Sequence, residues 1–225
     1  MGRNDKKPTI LMLEDSRADR ARFRLLYPGK ETEYEFAWAW GQKNGCGVLD
    51  WFEREALLGL SATSSAIDGE DRIAHPGKAL RHLLDGNDHL RQSLSSFELL
   101  LLDLAWTNRA EAVMQELQHM SRRQGHALAN DVSETNGSLQ SLINKVEGIG
   151  LLEWFRDHPK INQPAIWVTS AYVPMTALGI REFLHVRYGL QGGIHLFHKW
   201  MDEAPLVSDL ISFRNGLNKK SRGDG

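Results

Sequence analysis

Five short apolar runs recur along the chain, and polar residues or a turn follow each of them. Runs of this length are too short for an independent helix and are typical of buried strands. The pattern therefore predicts five strands, which span residues 9–13, 34–40, 97–103, 164–170 and 193–199.

Helical patterns separate these strands. Ser16 can cap a first helix that ends at Pro28, and the inner side of this helix is expected to carry Ala18, Phe23, Leu25 and Leu26. Further helices are predicted at 151–158, 176–188 and 205–217. Strands that alternate with helices favour an α/β fold, here a doubly wound five-stranded parallel sheet covered by helices on both faces.

Two connections are longer than a minimal α/β domain needs. They span approximately residues 41–96 and 106–148. Structureless loops longer than about 15 residues are uncommon in compact domains, so we expect ordered helical insertions. The patterns predict helices at 48–60, 78–94 and 110–123 and a polar loop at 125–138. The chain is interpreted as one domain, 1–225, with these two insertions.

Composition narrows the classes of function. The chain has 27 lysine and arginine residues and 29 acidic residues. This balanced charge argues against a dedicated nucleic-acid binder, which would carry an excess of basic residues. The single cysteine, Cys46, excludes an internal disulfide. No apolar run approaches the roughly 20 residues of a membrane helix, and the polar start does not resemble a signal peptide. A cytoplasmic protein that does not bind a membrane is expected.

Most of the predicted strands end on residues that can carry chemistry. In an open parallel sheet, ligands bind outside the carboxyl ends of the strands. The side chains expected to meet there are Glu14, Asp15, Asp103, Thr169, Ser170 and Lys199. Three carboxylates in one crevice repel one another, which favours a raised pKa or a bound divalent cation, and oxygen ligands suit Mg²⁺. Asp103 could then act as a nucleophile that forms an aspartyl phosphate.

Four of these segments, in this order, resemble the receiver domain of two-component response regulators. The matching segments are 11–15, 100–103, 166–170 and 196–199, and residues 150–156 are similar to the family's third helix. The resemblance covers most of the chain in pieces that the two insertions divide. It implies the flavodoxin-like, receiver-type version of the predicted fold.

The resemblance also implies a role for each residue of the site. Asp103 corresponds to the phosphoacceptor, Thr169 to the switch hydroxyl and Lys199 to the lysine that pairs with the acyl phosphate. Ser170 corresponds to the small residue that leaves the phosphate accessible. The implied ligands of Mg²⁺ are Glu14, Asp15, Asp103 and the backbone carbonyl of Ala105. The implied activity is self-catalysed phosphotransfer and autodephosphorylation, not that of a conventional enzyme.

The implied partners are proteins. A sensor histidine kinase or a phosphotransfer protein would supply the phosphoryl group. The stretch after Lys199 suffices for one last helix, so output is expected to pass through contacts with a downstream protein, with no direct contact to nucleic acid and with a homodimer as a possibility.

Two positions depart from the receiver pattern. Trp200 follows the lysine where the family usually has proline, and Leu196 stands where the family usually has its aromatic switch residue. A degenerate receiver that acts as a phosphorylation-independent interaction module is therefore the first alternative. A haloacid-dehalogenase-like phosphatase is the second, although residues 13–15 lack the Asp-x-Asp pattern of those enzymes.

Overall fold

The structure is a computed structural model. It describes residues 9–27, 29–30, 34–36, 47–58, 74–107, 110–115, 136–159, 161, 163–171, 178–190, 195–199 and 201–223, and every structural statement below concerns these ranges. Within them, no helix is both long and apolar enough to cross a bilayer.

A parallel sheet forms the centre of the molecule. Its strands are β1 (Ile10–Leu13), β2 (Tyr34–Phe36), β3 (Leu99–Leu102), β4 (Ala165–Thr169) and β5 (Leu196–Phe197). They are arranged in the order β2-β1-β3-β4-β5, and each neighbouring pair is parallel. The predicted α/β class with a parallel sheet is confirmed.

Helices connect the strands. Those with described bounds are α1 (Arg17–Leu26), α2 (Gly47–Leu58), α3 (Pro76–Asp85), α4 (Asp88–Ser95), α5 (Asn136–Lys145), α6 (Glu147–Asp157), α7 (Leu178–Tyr188) and α8 (Glu203–Gly223). Helices α2, α3 and α4 lie within the first predicted insertion, and α5 lies at the end of the second.

Several predicted helix boundaries were wrong, and the last helix, expected at 205–217, extends from Glu203 to Gly223. The single helix expected at 78–94 is two helices, because the chain turns at Gly86 and the Asn87 side chain caps α4 by accepting from the Leu90 amide at 2.8 Å. The polar loop expected at 125–138 gives way to α5 at Asn136. The helix expected at 151–158 begins earlier, at Glu147, directly after α5.

The strands present alternate residues to two separate cores. Leu11, Leu13, Leu100 and Leu102 face the larger core, which helices α2 to α7 complete with side chains such as Phe52. The intervening residues of β1 and β3, which are Ile10, Met12, Leu99 and Leu101, face a smaller core with Phe23 of α1 and Leu210 of α8. Since period-two alternation buries both faces, helices lie on both sides of the sheet.

Helix α1 begins where the sequence predicts but buries a different face. The Ser16 hydroxyl accepts from the Asp19 amide at 3.2 Å, which confirms the cap. Phe23 is buried as expected, whereas Ala18 is exposed and Leu25 is 87% exposed. The buried side chains recur at helical spacing as Arg20, Phe23 and Tyr27, so the expectation for Ala18 and Leu25 was wrong.

Candidate functional site

The carboxyl ends of β1, β3 and β5 bring charged side chains together. Glu14 follows β1, Asp103 follows β3, and Lys199 lies two residues beyond the last residue of β5. The Lys199 Nζ atom lies 2.9 Å from Asp103 Oδ2 and 2.9 Å from Glu14 Oε2. Glu14 is 1% exposed and Asp103 4% exposed, so these ion pairs lie in the interior of the protein. The predicted convergence of these three side chains is present.

Asp15 completes a cluster of three carboxylates. One carboxylate oxygen from each of Glu14, Asp15 and Asp103 lies within 4.8 Å of the other two. Asp15 is only partly buried, so the cluster meets solvent at this residue. Opposite vertices of an octahedral Mg²⁺ site lie about 4.2 Å apart, given metal–oxygen distances of about 2.1 Å. Adjacent vertices lie about 3.0 Å apart, so the three carboxylates would have to draw closer together around the ion, and the all-oxygen donor set is the kind that could hold it.

Burial dominates the electrostatics of the carboxylates. Loss of solvation raises the pKa of Glu14 well above its ordinary value, and the neighbouring Asp103 raises it further, while Lys199 acts in the opposite direction. Burial likewise raises the pKa of Asp15 and of Asp103 against the lowering influence of Lys199. The single ammonium group therefore does not compensate for the burial of three carboxylates, and a proton or a further cation would stabilise the cluster.

Lys199 itself is held in the charged form. Burial alone would lower the pKa of its ammonium group, but the charges of Asp103 and Glu14 outweigh burial and leave the pKa raised. A third carboxylate, that of Asp19, lies 3.3 Å from Nζ. Lys199 thus carries a permanent positive charge beside Asp103.

Hydrogen bonds fix the orientation of Asp103. Its Oδ1 atom accepts from the Leu104 amide at 2.8 Å, and its backbone amide donates to the Leu13 carbonyl at 3.0 Å. The Ser170 side chain is a further hydrogen-bond partner of the carboxylate. Together with Lys199, these contacts hold the carboxylate against the end of the sheet.

The remaining predicted residues lie around this carboxylate. Thr169 is the last residue of β4, is 5% exposed, and lines one recess with Glu14 and Lys199. Ser170 is fully buried. Ala105 lies in the loop that follows Asp103 and is 2% exposed. The structure therefore places Thr169, Ser170 and Ala105 near the strand ends at which the sequence predicts them.

Two residues of α1 that the sequence pattern did not predict support the cluster. The Arg20 Nη1 atom donates to the carbonyls of Glu14 and Asp15, each at 2.8 Å, and so fixes the backbone that carries both acids. Asp19 contacts Lys199, as described above. An arginine on a helix that carries many charges is not distinctive in sequence, and only the docking of α1 shows that Arg20 is 5% exposed.

Glu147, the first residue of α6, is a third missed residue. It is fully buried, and its Oε2 atom accepts from the Trp106 amide at 3.1 Å. Burial raises the pKa of this carboxyl from 4.5 to about 7. Glu147 was not predicted as a site residue because the helix was expected to begin at Leu151. An acid in the first turn of a helix was the available signal.

The two departures from the receiver pattern have different outcomes. Leu196 is 1% exposed and belongs to the larger core, so no aromatic ring occupies that position. The neighbouring Phe197 faces the opposite side of the sheet, where its ring centroid lies 5.7 Å from that of Trp167. Trp200 lies outside the described residues.

Comparison of the chain with known protein families, with curated proteins and with solved structures finds no match.

Proposed function

We propose that the protein is a receiver-type phosphoacceptor, in which Asp103 takes a phosphoryl group in a Mg²⁺-dependent reaction. The observation that carries this proposal is the position of Asp103, at a strand end between the Lys199 ammonium and two further carboxylates. The strand order 2-1-3-4-5 is that of flavodoxin-like folds, in which ligands bind at the carboxyl ends of the central strands. The resemblance of the same residues to response-regulator receivers is consistent with this proposal.

The contacts of Asp103 suit nucleophilic attack on phosphorus. A carboxylate oxygen of Asp103 would form the new P–O bond as the P–N bond of a phosphohistidine breaks, and the imidazole would leave and take up a proton. Lys199, which contacts Oδ2 at 2.9 Å, would pair with the transferred phosphoryl group. Thr169 and Ser170 would donate hydrogen bonds from their hydroxyl groups to the oxygens of the phosphoryl group. Ser170 already forms a hydrogen bond with the Asp103 carboxylate.

The carboxylate cluster supplies the ligands for a cation. Glu14, Asp15 and Asp103 would hold Mg²⁺, together with the carbonyl of Ala105. The bound ion would neutralise charge on the phosphoryl group and on the carboxylates. The raised pKa values of these carboxyls indicate that the cluster lacks positive charge without an ion.

The partners follow from this chemistry. A sensor histidine kinase or a phosphotransfer protein would be the donor, and a downstream protein would recognise the phosphorylated state. The balanced charge of −2 supports output through protein contacts over binding to nucleic acid. A cytoplasmic location fits such partners.

Phosphorylation by a small acyl-phosphate donor tests the proposal directly. The wild type should gain one phosphoryl group in the presence of Mg²⁺ and none in a chelator, as measured by intact mass. Asp103→Asn should remain unmodified, because an amide is not a nucleophile for phosphorus. Asp50→Asn, which changes a buried aspartate of α2, is the matched control and should be labelled like the wild type. Labelling of Asp103→Asn, or no labelling of the wild type, would contradict phosphotransfer.

A degenerate receiver that acts as an interaction module is the second candidate. The buried Leu196 favours it, because receivers usually have an aromatic switch residue at this position. Beryllofluoride, which mimics the acyl phosphate, separates the two candidates. A functional receiver should bind it with Mg²⁺, and Thr169→Ala should bind it without the conformational response of the wild type. An interaction module without phosphotransfer should bind neither beryllofluoride nor Mg²⁺.

A further inference from the structure

The loop that follows Asp103 is held by helix α6. The Gly148 amide donates to the Leu104 carbonyl at 2.9 Å. A Cβ atom at Gly148 would lie 2.6 Å from the Asp103 carbonyl oxygen and from Leu104 Cα, so only glycine allows this approach. The first turn of α6 therefore packs directly on the backbone of the loop.

The carbonyl groups of this loop have distinct partners. The indole Nε1 of Trp106 donates to the Asp103 carbonyl at 2.8 Å, and Gly148 occupies the Leu104 carbonyl. Within the described ranges, no residue donates a hydrogen bond to the carbonyl of Ala105, although Ala105 is 2% exposed. Among the described residues, the Ala105 carbonyl is thus left without a donor, and a buried carbonyl in that position is open to a ligand.

Glu147 anchors the other end of the same peptide group. Its Oε2 atom accepts from the Trp106 amide at 3.1 Å, and that amide shares a peptide plane with the Ala105 carbonyl. In a trans peptide the N–H and C=O groups point in opposite directions. An acceptor that holds the N–H therefore fixes the carbonyl on the opposite side.

We infer that Glu147 is a positioning residue for the cation site, which acts by holding the Ala105–Trp106 peptide so that the Ala105 carbonyl is presented as a metal ligand. This inference rests on the proposed function, because it requires that Mg²⁺ binds at the carboxylate cluster. Glu147 would not touch the ion. Residues that orient metal ligands change affinity about 10- to 100-fold when they are removed.

Two conservative variants separate this role from a simple effect of charge. Glu147→Gln keeps an oxygen that can accept from the Trp106 amide but removes the charge. Glu147→Asp keeps the charge but withdraws the acceptor by one methylene group. Positioning predicts that Glu147→Gln binds Mg²⁺ within about threefold of the wild type and that Glu147→Asp binds at least about tenfold more weakly. Attraction by charge alone predicts the reverse order.

Calorimetric titration with Mg²⁺ measures the affinities, and thermal melts in a chelator measure the stability of each variant. Glu153→Gln, which changes a second buried glutamate of α6, is the matched control and should keep the wild-type affinity whatever its melting temperature. Weaker binding by Glu147→Asp than by Glu147→Gln at similar melting temperatures would support the inference.

Two outcomes would overturn it. Equal affinity of Glu147→Asp, Glu147→Gln and wild type would refute positioning while leaving the proposed function in place. No binding of Mg²⁺ by the wild type would refute the cation site itself, and the inference with it.

Discussion

Two buried glutamates of this protein have opposite surroundings. Glu153 of α6 is 3% exposed, and Arg187 binds it through two hydrogen bonds of 2.9 and 2.6 Å. Tyr188 donates to the same carboxylate at 3.0 Å, and Arg156 lies 2.6 Å away. Glu14, which is 1% exposed, shares one lysine with two other acids.

The difference separates a carboxylate whose burial is compensated by positive groups from one whose burial is not. Glu153 has Arg187 as its own partner and shares Arg156 with the exposed Asp157, so its burial is compensated and α6 is tied to α7. Around Glu14, carboxylates outnumber positive groups, and burial raises the pKa values of the acids. A protein interior tolerates such an excess at functional sites, where a ligand supplies the missing charge.

We expect a large loss of stability when Glu153 loses its main partner, Arg187. Arg187→Met should lower the free energy of unfolding by about 3–5 kcal/mol, because it leaves Glu153 buried with fewer partners. Denaturant titration at neutral pH measures the change. Replacing Glu153 and Arg187 together by methionine should recover part of the loss. A loss below about 1 kcal/mol in the single variant would show that Arg156 alone suffices.

The next effect concerns the pH dependence of stability at Glu147. Its pKa rises from 4.5 to about 7 on folding, so the folded state binds the proton more tightly than the unfolded state. The contribution of Glu147 to the free energy of unfolding is therefore fully present below pH 4.5 and is lost as the pH rises through about 7. Its total is about 3 kcal/mol.

Denaturant titrations between pH 4.5 and 8 check this prediction. Glu147→Gln should lose the part of the pH slope that Glu147 contributes. Glu98→Gln, which changes an exposed glutamate, should keep the wild-type slope. An unchanged slope in Glu147→Gln would contradict the raised pKa.

A smaller change in stability is expected at the cluster of Glu14, Asp15 and Asp103. Asp15→Asn removes one of three like charges and should stabilise the protein in a chelator by about 1 kcal/mol, or about 2–4 °C in melting temperature. Mg²⁺ at 100 times its dissociation constant should stabilise the wild type by about 2.7 kcal/mol and the variant much less. A solvated acid at a helix start would instead give a small loss of stability and no response to Mg²⁺.

The smallest effect is expected on the exposed face of α1. Leu25 is 87% exposed, so Leu25→Gln should change the free energy of unfolding by less than about 0.5 kcal/mol. Phe23→Ala, which truncates a buried side chain two residues earlier on the same helix, should cost about 3–5 kcal/mol. Thermal melts measure both variants. Similar losses of stability in the two would indicate that Leu25 is buried, as the sequence pattern predicts.

The strands and the polar residues that follow them could be predicted from the sequence. A buried parallel strand is a short apolar run, and the polar residue after it is local information that needs no knowledge of neighbours. Since parallel strands end at one edge, the meeting of Glu14, Asp103 and Lys199 could also be predicted.

The buried helix faces and the residues that support the carboxylate cluster depend on how the helices pack in the folded chain. Arg20 and Glu147 act through backbone groups that other segments bring to them, and local periodicity does not contain this information. The first insertion likewise shows helical patterns in sequence, but only packing places Phe52 against Trp106, with ring centroids 5.9 Å apart, beside the Asp103 loop. These contacts join residues far apart in sequence, and their energies depend on distances that only the folded chain defines.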